Sequence, residues 1–76
     1  MDIRKELIEG IIQENIKYLC EDKSIEIHEA MEVVYNSITF DKLADMETGL
    51  YKESPSYVYE LLKDEINDGK LIQKEQ

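Results

Sequence analysis

Seven apolar side chains near the amino terminus, Ile3, Leu7, Ile8, Ile11, Ile12, Ile16 and Leu19, recur at steps of three and four residues and so restrict the folds open to this chain. That is the period of an α-helix; the strict alternation of a half-buried strand is absent. Asp2 stands where an N-cap belongs, and the spacing predicts a first helix over Ile3 to Glu21. At about 100° per residue the seven side chains sweep out roughly two-thirds of the helix circumference. A stripe of that width calls for neighbours on more than one flank, which makes this the central helix. Asn15 interrupts the apolar arc, where a buried amide must find hydrogen-bond partners, either capping a neighbouring element or marking an interface. Gly10, on the polar edge, costs about 1 kcal/mol relative to Ala and leaves room for another helix to approach closely.

The remainder of the chain reads as shorter helices joined by tight connections. Asp22-Lys23-Ser24 is a turn, and Ile25, Glu26 and Glu29 resemble a helix entry. A second helix is expected over Ile27 to Asn36, with Ile27, Ala30, Met31, Val34 and the trailing Ile38 on one face and His28, Glu29, Glu32 and Asn36 opposite. Thr39 is the expected cap of a short helix from Phe40 to Ala44, and Asp45 that of a single turn through Thr48, ended by Gly49. Phe40, Leu43, Leu50 and Tyr51 are its expected core anchors. Ser54-Pro55 opens the last helix, whose apolar stripe is Val58, Leu61, Leu62 and Ile66 and whose stop is Asp68-Gly69. Residues 70–76, with Leu71 and Ile72, read as a polar tail. The expected architecture is therefore an all-α bundle of three principal helices plus a short helical insertion before the last, in a single domain spanning 1–76.

Size and charge limit what such a bundle can do. A chain of 76 residues buries too small a core for a deep cleft. The formal net charge is −9, and between Glu26 and Asp68 eleven acids face only Lys42, Lys52 and Lys63. Without a basic stripe to displace counterions, direct nucleic-acid binding is not expected, and anionic membranes are disfavoured for the same reason. The acidity reads either as a solubilising surface or as a face that steers a basic partner. One cysteine, Cys20, rules out an internal disulfide and fits a reducing, cytoplasmic setting. The segment Met1-Asp2-Ile3-Arg4-Lys5-Glu6 lacks the apolar stretch of a secretory signal, and no apolar run approaches membrane-spanning length.

Reactive groups are few in this chain. Cys20 and His28 are the single thiol and imidazole, and Cys20, at the end of an apolar face, reads as an inert buried thiol. His28 and Glu32 lie one helical turn apart, but two ligands do not make a metal site, and Ile25 stands where a Glu-x-x-His pair would need its carboxylate. No Gly-rich phosphate loop is present, and carboxylates without a deep pocket have nothing to separate their pKa values. No cofactor, no metal and no enzymatic activity are expected. Tyrosine supplies five of the six aromatic residues, with Tyr51, Tyr57 and Tyr59 close in sequence. Tyrosine suits both core edges and protein interfaces. Together with Glu47, Glu53 and Glu60, these three form the candidate partner-binding set.

The run IEIHEAMEVVYNSITFDKLADMETGLYKESPSYVYELLKDE, from Ile25 to Glu65, resembles small bacterial all-helical proteins of unknown function that carry a "TGLY…SPxYVYELL" pattern. The matching pieces are Glu29-Ala30, Tyr35-Asn36-Ser37, Thr48-Gly49-Leu50-Tyr51 and Ser54-Pro55 through Leu62. Families of this kind resemble products of accessory genes, some beside toxin-like enzymes. The resemblance implies an antitoxin-like or adaptor role, exerted by binding alone on another protein, basic or toxin-like. A homodimer that covers the second flank of the first helix is the alternative, and a DNA mimic ranks third.

Overall fold

The computed structural model describes residues 2–68, and the fold it shows is a small all-α bundle. Its elements are α1 (Ile3–Lys23), α2 (Ile27–Tyr35), α3 (Ile38–Ala44), two single 3-10 turns at Met46–Thr48 and Leu50–Lys52, and α4 (Pro55–Asn67). No strand occurs among the described residues. The stop at Gly69 and the tail over 70–76 with Leu71 and Ile72 lie outside them.

Caps read from the sequence account for most of the boundaries. The Asp2 carboxylate accepts the Arg4 N–H at 3.0 Å, and that backbone bond holds the Asp2 carboxyl below its ordinary range. At its far end α1 runs two residues past Glu21 and stops where Ser24 turns left-handed at φ 55°. The Asp45 side chain accepts the Glu47 N–H, and Gly49 at φ 72° ends the first 3-10 turn. The Ser54 hydroxyl accepts the Tyr57 N–H at 3.2 Å, with Pro55 in the first turn of α4.

α1 is the central element, with α2 along one flank and α4 along the other. Ile8, Ile11, Ile12, Ile16 and Leu19 are buried, and they meet Ala30 and Val34 of α2, Leu43 of α3, and Val58, Tyr59 and Leu62 of α4. Phe40, Leu50, Tyr51 and Ile66 sit half-buried at the margin of this cluster. Asn15 is buried, and its amide donates to the Ile11 carbonyl at 2.9 Å and to the Pro55 carbonyl at 3.2 Å. It thus ties the middle of α1 to the first turn of α4.

The structure corrects the expectations in four places. Ser37, not Thr39, caps α3: its hydroxyl accepts the Phe40 N–H at 2.9 Å and donates to the Val34 carbonyl at 2.6 Å, so one side chain closes α2 and opens α3. Thr39 lies inside the helix with its hydroxyl turned to α4. The expected α2 face is divided, since Ala30 and Val34 are buried whereas Ile27, Met31 and Ile38 are exposed, Ile38 having left α2 for the start of α3. Ile3 and Leu7 do not reach the core and are likewise exposed. Nothing approaches Gly10, where an added Cβ would meet open space, so its presence is not explained by a close helix crossing.

Candidate functional site

The residues singled out from the sequence do not assemble into one surface. Tyr59 is buried in the α1–α4 seam, its ring 5.1 Å from that of Tyr18 and its hydroxyl donating to the Asp22 carboxylate at 2.8 Å. Burial first, and then the Asp22 carboxylate, push the Tyr59 phenol well above its usual range, so it stays a neutral donor. Tyr51 is half-buried and borders a separate depression with Glu6, Leu7 and Glu53, while Tyr57 is exposed. Glu60 pairs with Lys63 at 3.5 Å beside Tyr59, and Glu47 is exposed on the first 3-10 turn. Sequence proximity misled because Tyr57 and Tyr59, two residues apart on a helix, point about 200° apart.

A different surface has the features of a binding site. Between α1 and α2 runs an open groove of about 580 Å³, lined by Gln13, Ile16, Lys17, Cys20 and Glu21 on one wall and Ile27, Met31 and Tyr35 on the other. It exceeds the depressions beside Tyr59, about 420 Å³, and beside Tyr51, about 410 Å³, and five of its eight lining residues are apolar, aromatic or thiol. On α2 the exposure is 58% for Ile27, 36% for Met31 and 45% for Tyr35. Isolated exposed side chains of this type are unremarkable, but three in register at i, i+4 and i+8 beside a second apolar wall form a continuous face.

The local sequence explains why this face stays open. Ala30 and Val34 dock α2 on α1, and each step of four residues rotates a helical position by about 40°. Ile27, Met31 and Tyr35 therefore follow the docking pair round the helix and look along the seam rather than into it. One position further round, His28 and Glu32 are exposed and form the outer margin. Across the groove the margin is Gln13, Lys17 and Glu21. Cys20 lies half-buried in the floor, and His28 is not among the lining residues, so the thiol and the imidazole belong to different surroundings. The signal for this face was present in the sequence: α2 carries more apolar residues than one docked face of a nine-residue helix can bury.

Sequence reasoning also missed Glu65. Its buried carboxylate accepts the Ile38 N–H at 2.7 Å, the Thr39 N–H at 2.9 Å and the Thr39 hydroxyl at 2.8 Å. The negative group sits on the free N–H groups at the start of α3, where a helix end favours an anion. Those bonds use the carboxylate to join α4 to α3, which makes it a structural latch. Among the described residues no three of His, Cys, Asp and Glu converge as metal ligands, and no helix is long and apolar enough to cross a membrane. Comparison with protein-family models, with curated proteins and with solved structures finds no match to this chain.

Proposed function

We propose that this protein is an interaction module that acts by binding another protein, with the groove between α1 and α2 as its contact face. The observation that carries the reading is the aligned exposure of Ile27, Met31 and Tyr35 beside Ile16 and Cys20. A partner that covered these side chains would remove apolar area from water, at about 25 cal/mol per Å² before the losses of association are counted. The formal charge of −9 supports electrostatic steering of a basic partner. An antitoxin-like or adaptor role, implied by the resemblance of residues 25–65, is the biological form this binding would take.

The experiment is a pull-down from the native host with the wild-type chain, Ile27→Lys and Tyr57→Ala. The expected result is a partner retained by Tyr57→Ala and lost with Ile27→Lys. Loss with Tyr57→Ala alone would return the interface to the segment from Tyr51 to Tyr59 and refute the groove.

Self-association is the second reading, and the same exposed stripe is the observation that favours it. The breadth of the α1 stripe no longer argues for a dimer, because α2 and α4 cover both flanks of that helix within one chain. A dimer would instead join two α2 faces, each belonging to a chain of charge −9. Sedimentation at micromolar concentration distinguishes the readings.

A further inference from the structure

We infer that the occupant of the α1–α2 groove is a basic amphipathic helix from a different protein, a proposal that rests on the interaction-module reading above. The length of the floor sets the first condition. From Ile27 to Tyr35 the stripe rises about 12 Å, slightly more than two helical turns, and Gln13 to Glu21 on α1 matches it. An occupant helix with apolar residues at i, i+4 and i+7 presents three anchors over that distance.

The walls set the second condition. Both are helices, and a third helix laid into the seam completes a three-helix layer by ridge-into-groove contact. α4 already does this on the opposite flank of α1, offering Val58 and Leu62 from a stripe whose other side is charged.

Charge sets the third condition and selects among helices. The charged groups lining the groove balance, Lys17 against Glu21, and the surplus acid beside it is the exposed Glu32, one position further round α2, on a chain of formal charge −9. An occupant with Lys or Arg flanking its apolar stripe meets opposite charge along the α2 margin, where Glu32 stands on a helix without Lys or Arg, and a balanced pair, Lys17 and Glu21, along the α1 margin. A second copy of this chain would bring another −9 to the same place, and its own α2 margin offers His28 and Glu32 with no Lys or Arg. The complementarity therefore favours a basic partner over self-pairing.

Cys20 makes the test direct, because it is the one cysteine and it lies in the groove floor. The full chain is titrated with two synthetic peptides of roughly fourteen residues, about four helical turns. One has Leu at helical spacing with Lys elsewhere, and the other has the same pattern with Glu. Amide chemical shifts, the rate of Cys20 alkylation by a maleimide, and sedimentation of the free chain are recorded. The expected result is a monomer whose Ile16, Ile27, Met31 and Tyr35 signals move with the Leu/Lys peptide, with alkylation slowed roughly tenfold at saturation and affinity falling as salt is raised. Met31→Lys and Ile27→Lys should each weaken that peptide roughly tenfold while circular dichroism stays helical; Ile27 is the more exposed, which guards against a folding artefact.

Equal protection of Cys20 by the Leu/Glu peptide would overturn the basic-helix assignment and leave the interaction module standing. Shifts confined to acidic surface outside the groove and indifferent to Met31→Lys would overturn both. A stable dimer with Cys20 already shielded would overturn the assignment in favour of a second copy.

Discussion

The two flanks of α1 differ in how the chain finishes them. Toward α4, apolar residues are matched: Val58 and Leu62 are almost fully buried, the Tyr59 ring packs tilted against Tyr18 and its hydroxyl hydrogen-bonds Asp22, and the Asn15 amide reaches the Pro55 carbonyl. Toward α2, only Ala30 and Val34 are matched, and the next three apolar positions look outward over a groove. Both flanks use similar residue types. What separates them is the length of the packed helix, nine residues in α2 against thirteen in α4, and which of its apolar positions are buried, and from that follows the proposed division, with stability held on the α4 side and recognition on the α2 side.

Substitutions on the closed flank should produce the largest effects. Leu62→Ala removes a side chain that is 1% exposed, and cavity formation should cost about 2–5 kcal/mol in urea unfolding, enough to unfold much of so small a domain. Glu65→Ala orphans the Ile38 and Thr39 N–H groups and the Thr39 hydroxyl, with an expected cost of about 1.5–3 kcal/mol. The loss should appear first as fraying of α3 in hydrogen exchange.

Tyr59→Phe keeps the ring contact with Tyr18 and deletes the bond to Asp22, costing about 0.5–1.5 kcal/mol at neutral pH. Its pH dependence has a definite sign. The folded phenol titrates above the unfolded one, so its stabilisation is fully present below the ordinary tyrosine value of 10.0 and is lost as pH rises beyond it. The wild-type chain should lose stability more steeply than Tyr59→Phe in alkaline urea titrations. Parallel curves would mean that Tyr59 is not desolvated in the seam.

The smallest of these effects should carry the opposite sign. Gly10 lies mid-helix with open space beyond its Cα, and Gly10→Ala should raise stability by about 0.5–1 kcal/mol, visible as a higher thermal midpoint. A decrease would place an unseen neighbour there.

Much of this architecture was legible in the sequence because helical periodicity and caps are local. Asp2, Asp45, Ser54-Pro55 and Gly49 act where their chemistry placed them. The core of α1 from Ile8 to Leu19 was legible for the same reason. The α3 cap was not, since Ser37 and Thr39 are equally suited as residue types and the choice depends on Glu65, 26 residues beyond Thr39, which draws the Thr39 hydroxyl away. The candidate site was misplaced for a related reason. Which apolar residues of α2 are left over depends on where the helix docks, and a count of tyrosines carries no information about docking. Burial of Tyr59 beside Tyr18 is likewise a long-range result, the two residues standing 41 positions apart in the chain.

Ile27 and its neighbours stand outside the folding core, and urea unfolding of Ile27→Ser beside Leu62→Ala on the same chain tests this. With Ile27 at 58% exposure, Ile27→Ser should lose less than about 1 kcal/mol, beside a loss of at least about 2 kcal/mol for Leu62→Ala. Equal losses of about 2 kcal/mol or more would show the α1–α2 groove to be closed in the folded protein, and the proposed recognition face would not exist.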